Sequence, residues 1–271
     1  MTDHLFQHLA PITAMAWEAI EEDVKPRLKT YLAARKFIDF EGPLGWAHSA
    51  TNLGRAHPIA GASPELTTSQ RAVLPLIEVR ADLVLSRSQL DDVERGARGV
   101  DLSALDTAAR QIALAENRAV FHGHASAGIT GITEASSHDP IVIETDVNQY
   151  PAAVARAVDV LRQSGIGGPY GFAIAPDIYT EITETTEHGG YPLFDHLREI
   201  LGGAVVWAPG VNGGVVLSQR GGDFVFECGQ DIAIGYASHH ADEIHLYLQE
   251  TYSFRVLESD AAIALQAESQ S

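Results

Sequence analysis

Basic residues are scarce in this chain. Lysine and arginine number 18 against 36 aspartates and glutamates, a formal charge of −18. So acidic a surface repels phosphate backbones and anionic lipid, which disfavours nucleic-acid and membrane-surface partners. Cysteine is nearly absent: Cys228 stands alone, so no intrachain disulfide framework can form. No apolar run approaches the ~20 residues that span a bilayer, and Met1 to Leu5 lack the basic start and apolar core of a signal peptide. These absences predict a soluble intracellular protein. At 271 residues the chain is long enough for one large or two modest domains, each with a real core.

Catalytic equipment is also thin. His124-Ala125-Ser126-Ala127-Gly128 approaches a nucleophile elbow, but His124 stands where the first glycine is required. Gly221-Gly222-Asp223-Phe224 lacks the acidic residue that a cyclic-dinucleotide cyclase carries between Asp and Phe, and reads as a turn into a strand. The glycines at 165, 167 and 168 do not have the dinucleotide-binding spacing. Neither His122/His124 nor His239/His240 has a helical i, i+4 ligand spacing. Glu18, Glu21, Glu22 and Asp23 read as a solvated helix face, and Cys228 as a small buried hydrophobe. The expectation is no catalytic residue, no metal site and no cofactor.

What is present is pattern. Ile12, Ala16, Ile20, Val24, Leu28 and Leu32 recur every four residues, which predicts a helix from Thr13 to about Phe37, kinked or restarted at Pro26. Asp101 to Phe121 reads as a helix with Asp101 as N-cap and a stripe through Leu105, Ala109, Ile112 and Val120. Further helices are expected at 91–96, 150–164, 177–186 and 193–201. Strands are expected at 74–85, 170–175, 204–208, 214–218, 223–227, 231–236 and 244–257, the later ones alternating apolar with polar residues as antiparallel strands do. Thr51 to Thr68 reads as a long loop, a length uncommon without a task. Helices interleaved with antiparallel strands predict an α+β fold.

Several short segments occur in the order they take in one family. They are Ala34-Arg35-Lys36-Phe37-Ile38-Asp39-Phe40-Glu41-Gly42-Pro43, Asp91-Asp92-Val93-Glu94-Arg95-Gly96, Gly168-Pro169-Tyr170 and Gly190-Tyr191-Pro192-Leu193. After them come Arg220-Gly221-Gly222-Asp223-Phe224, Gly229-Gln230-Asp231-Ile232-Ala233-Ile234-Gly235-Tyr236 and Leu248-Gln249-Glu250-Thr251. From about Leu9 to Leu265 the chain resembles the encapsulin shell proteins, also called linocin-type bacteriocins.

The resemblance implies the α+β fold of tailed-phage major capsid proteins, with a peripheral domain, an extended loop and an axial domain. Mapped here, the peripheral domain takes residues 1–48, 79–134 (the long helix) and 223–271 (the last strands and tail). The extended loop takes 49–78, and the axial domain 135–222. It implies a homo-oligomeric, cytoplasmic icosahedral shell, of the smallest class for this length, without enzymatic activity of its own. Such a shell holds cargo enzyme, a dye-decolourising peroxidase or a ferritin-like protein, by a C-terminal targeting peptide. The peptide groove would be lined by Leu28, Leu32, Arg35 and Asp39 with Asp231, Ile232, Ala233 and Ile234. Glu187, His188, Gly189, Gly190 and Tyr191 would form the five-fold pore. Ser88 occupies the position of a flavin-stacking tryptophan in some relatives, so no flavin is expected. A phage or prophage capsid protein, and a protease or bacteriocin-type activity suggested by the older family name, are the alternatives.

Overall fold

The computed structural model describes residues 3–61, 63, 65–143, 146–187 and 190–267. The first long element, α1 (Ala14–Tyr31), opens at Thr13, whose side chain accepts the Ala16 amide. Its buried residues Ala16, Ile20 and Val24 follow the four-residue spacing of one helix face. The helix runs through Pro26 and ends at Tyr31, followed by a separate short turn at Ala34–Lys36. The expected restart at the proline does not occur. Pro26 is exposed, so water can satisfy the carbonyl that its missing N–H leaves free.

In chain order there follow β1 (Asp39–Glu41), β2 (Ala50–Ile59), β3 (Thr68–Pro75), β4 (Ile77–Ser86), α2 (Arg87–Glu94) and α3 (Ser103–His122). Next come α4 (Ile132–Ala135), β5 (Ile141–Ile143), α5 (Tyr150–Gln163), β6 (Tyr170–Ile174), α6 (Pro176–Glu184) and α7 (Leu193–Leu201). The chain closes with β7 (Gly202–Trp207), β8 (Gly214–Ser218), β9 (Phe224–Cys228), β10 (Ala233–His239), β11 (Glu243–Val256) and β12 (Ala262–Ala267). The N-cap position of α3 falls on Leu102, one residue later than expected, and the Asp101 carboxylate accepts the Ser103 amide from just outside the helix. The near-elbow at His124–Gly128 is a single short turn over Ala125–Ala127.

Two sheets organise the chain. In the first, β11 pairs antiparallel with β4 along one edge and with β10 and β9 along the other, and β1 adds in parallel to β9. The second has the order β5-β12-β8-β6-β7. The first sheet's apolar face packs under α1, α2 and α3 through Ile20, Leu83, Leu105, Ile112, Leu246 and Leu248, among others. The second sheet and helices α5 and α7 share a core that reaches the first sheet through Phe226, Tyr252 and Phe254. Gly235 faces Tyr247 across the β10–β11 pair, beneath its ring, where a Cβ would collide.

Beside the short elements β1, α4 and β5, which the sequence reading did not include, two longer segments depart from it. Residues 51–68, expected as a loop, are mostly strand: β2 and β3 form a two-stranded ribbon of their own. Its base is tied to the body by the Thr51 and Ser253 hydroxyls and by the His48 ring on Glu227 Oε1 at 2.6 Å. Beyond that base the ribbon is largely exposed, and Ile59, Leu66 and Val73 stand in solvent. The second departure is β12, which lies past the last expected strand. Its alanine-rich sequence has weak strand propensity, and pairing with β8 and β5 overrides it.

Candidate functional site

The residues matched to a peptide groove come from α1, the turn after it, β1, the β9–β10 connection and the start of β10. Leu28 and Ile232 are half-buried and pack on the same apolar cluster, to which Ile234 belongs. Leu32 is buried and Ala233 half-buried. Arg35 joins the two halves: its Nη1 donates to Asp231 Oδ1 at 2.7 Å. That same oxygen accepts the Ile232 amide at 2.8 Å, which sets the backbone entering β10. Asp39 is committed elsewhere. Its carboxylate accepts the Gly222 amide at 2.6 Å and so closes the turn before β9.

The Arg35 guanidinium is only 17% exposed and sits over the Phe40 and Phe226 rings at 5.0 and 5.5 Å. It donates through Nε and Nη2 to Glu116 and through Nη2 to Glu250, both carboxylates being 0% exposed. Burial alone would lower its proton affinity; Glu116, Glu250 and Asp231 raise it instead, so the guanidinium stays charged. Sequence reasoning missed both glutamates. The signal was available: Glu116 falls in the α3 stripe between Ile112 and Val120, and Glu250 in the inward series Leu248, Glu250, Tyr252. A carboxylate on an apolar face needs a cation.

The N-terminal segment, also unanticipated, lies against β10. Two short turns, Asp3–Leu5 and Gln7–Leu9, bring Gln7 Nε2 to the Ile234 carbonyl at 2.7 Å. The His4 ring bonds Gln230 and stacks on Trp46 at 4.2 Å, and Leu5 is buried. The Ile234 carbonyl on β10 is therefore capped by this chain's own Gln7. A cleft of about 600 Å³ between this segment and α1 is lined by Gln7, Ala10, Ile12 and Trp17, with Glu18 and Glu21 beside them.

At the α6–α7 connection, His188 and Gly189 lie outside the described residues. The rest of the connection is closed by Glu187 N–H donating to the Tyr191 carbonyl and Gly190 N–H to the Glu187 carbonyl, each at 2.9 Å. Gly190 has φ +83°, a left-handed conformation that favours glycine. Two side-chain ties fasten the loop to α7: Glu187 Oε1 to His196 Nδ1 at 2.8 Å, and Tyr191 Oη donating to Glu199 Oε1 at 3.0 Å. The sequence singled out His188; among the described residues of this connection and α7, His196 faces a carboxylate.

Among the described residues no group of three or more His, Cys, Asp or Glu is placed to hold a metal ion. Burial, with Asp231 adding to it, pushes the Cys228 thiol up to about 12, which keeps it protonated and a poor nucleophile. No described helix is long and apolar enough to cross a membrane.

The family model described as "Encapsulating protein for peroxidase" matches residues 1–253. A type 1 encapsulin shell protein of Rhodospirillum rubrum is 45% identical over 272 residues, spanning 98% of this chain and 97% of its own length. One from Rhodococcus erythropolis is 41% identical, covering 97% and 99%. Among solved structures, a virus-like particle from Pyrococcus furiosus superposes with a TM-score of 0.63 at 14% identity, over 92% of this chain and 98% of the other. The capsid of an empty GTA particle gives a TM-score of 0.53 at 15% identity, covering 88% and 90%. The two structures share the fold, a phage-capsid fold, and the sequence matches supply the rest: the chain belongs to the encapsulin shell protein family.

Proposed function

We propose that copies of this chain close into a hollow icosahedral shell in the cytoplasm that encloses a cargo enzyme and has no catalysis of its own. The observation that carries this reading is the β2–β3 ribbon. Two strands with apolar side chains in water are marginal alone, and among the described residues Ile59, Leu66 and Val73 are exposed. A neighbouring copy supplies the missing surface. Repeating heterologous contacts of this kind close when their rotations sum to a ring, so the contact geometry sets the curvature. The family description supports a peroxidase as cargo. Electron microscopy and native mass measurement of the purified protein test assembly: closed particles with a co-purifying enzyme are expected, and a stable monomer or dimer overturns the shell. Particles filled with DNA would favour a phage capsid instead, a reading that the charge of −18 works against.

In this reading the cargo peptide lies across the Leu28–Ile232 surface, with Arg35 and Asp231 fixing its direction and many weak sites acting together. Leu32 is buried, so Asp at that position would strain the fold; Ile232, half-buried, is the cleaner probe. Ile232→Asp shells are expected to assemble but to bind each peptide at least about tenfold more weakly, roughly 1.4 kcal/mol. Gel densitometry of cargo per shell measures this, and wild-type loading would remove the groove assignment. The loop from Glu187 to Tyr191 is proposed to line the five-fold pore.

A further inference from the structure

One guanidinium faces three carboxylates at the Arg35 cluster, and two of them are cut off from water. Glu116 Oε2 and Glu250 Oε2 both accept from Arg35 Nη2, at 2.6 and 3.1 Å, so the two carboxyl groups meet at one nitrogen. Glu250 Oε1 is buried and has no donor. A carboxylate oxygen left so is costly, whereas a protonated one is itself a donor. The other titratable groups facing the cluster are the Cys228 thiol of β9 and the Tyr252 hydroxyl of β11. Burial holds both neutral: the thiol is pushed up to about 12 and the phenol raised further above its ordinary value. Neither supplies a second positive charge.

We propose that Glu116 and Glu250 share a single proton, and that this proton leaves Arg35 free to hold Asp231 and so keeps the β9–β10 turn in the conformation that receives the cargo peptide. The last step rests on the groove reading above. Glu250 is the carrier: burial first, and then the neighbouring Glu116 charge, raise its proton affinity well above that of an ordinary carboxylate. When the proton leaves, a second full charge draws the whole guanidinium toward Glu116 and Glu250 and away from Asp231, which it holds through Nη1. Asp231, 45% exposed, is the carboxylate that water can take over, so it is the partner released. With it goes the shared oxygen that orders the Ile232 amide.

The sign follows from linkage. A carboxyl whose proton affinity is raised on folding stabilises the native state fully below the unfolded value, about 4.3, and that stability is lost as pH rises through the folded value. The test uses cargo-loaded shells of wild type, Glu250→Gln and Glu116→Gln between about pH 5 and pH 9. Wild type should lose thermal stability and several-fold of its cargo as pH rises. Glu250→Gln, which fixes a neutral donor in place, should show a flat stability profile and pH-independent retention. The infrared band of a protonated carboxyl should be present in wild type and absent from Glu250→Gln. If that variant does not fold, the wild-type band and its disappearance in Glu116→Gln decide the matter. No such band in wild type, or an unchanged stability slope in Glu250→Gln, overturns the shared proton. A flattened slope with cargo loss still following pH overturns the link to Asp231. Full loading of Asp231→Ala at every pH would instead remove the groove reading and leave the proton in place.

Discussion

Replacing Arg35 with methionine is expected to cost about 3–5 kcal/mol, enough to abolish most of the folded protein under ordinary expression. The stem volume is kept and the apolar contacts with Phe40 and Phe226 survive, so the loss is that of the charge. Glu116 and Glu250, both fully buried, would be left without their cation, and Asp231 would lose its anchor. Soluble yield and chemical denaturation of the released subunit measure it. The companion variant is informative: Arg35→Met combined with Glu116→Gln and Glu250→Gln should recover much of the lost stability, because the penalty lies in unpaired buried charge rather than in a missing attraction. A triple variant no more stable than Arg35→Met alone would mean that Arg35 acts by shape.

The second large effect is expected at Asn117. Its Oδ1 accepts the Ala33 and Ala34 amides at 3.1 and 3.0 Å, and its Nδ2 donates to the Tyr31 and Pro209 carbonyls, both at 2.8 Å. All four hydrogen-bonding positions of the side chain are used in a site with no exposure. It thereby ties the end of α1 and the turn that presents Arg35 to α3 and to the loop after β7. Asn117→Leu fits the space but orphans the Ala34 amide and the Pro209 carbonyl, while the Ala33 amide and the Tyr31 carbonyl keep each other at 2.9 Å. At about 1–3 kcal/mol for each buried group left unpaired, with partial rescue by water, a loss of roughly 4 kcal/mol is expected. Thermal unfolding measures it; a shift no larger than that of a surface substitution would show that the junction is held by packing alone.

Asn117 was singled out by no motif, and Arg35 was named without the two glutamates that make it matter, which shows where the sequence stops being legible. The helices α1, α3, α5 and α7 and most of the long strands follow from local periodicity, because burial on one face imprints a repeat of about 3.6 or 2 residues. The short strands β1 and β5 lack the length to show one. The ribbon β2–β3 is exposed on both faces over most of its length, so its sequence carries no burial pattern and reads as a loop. β12 is visible only as a partner of β5 and β8. Of the residues that the ordered short segments named for the candidate groove, Arg35 and Asp231 meet. Asp39, in contrast, serves the Gly222 turn.

By itself the sequence determined the acidic surface, the lack of a disulfide framework, the α+β alternation and the family, all of which are local or additive properties of residues. Only the tertiary structure decided what surrounds Arg35. Its partners lie 81, 196 and 215 residues away along the chain, and a buried charge is a property of the whole enclosure. A glutamate in an apolar stripe announces that a cation must come; which one comes, and how many carboxylates it must serve, depends on the packing of α3, β11 and the β9–β10 turn around one guanidinium.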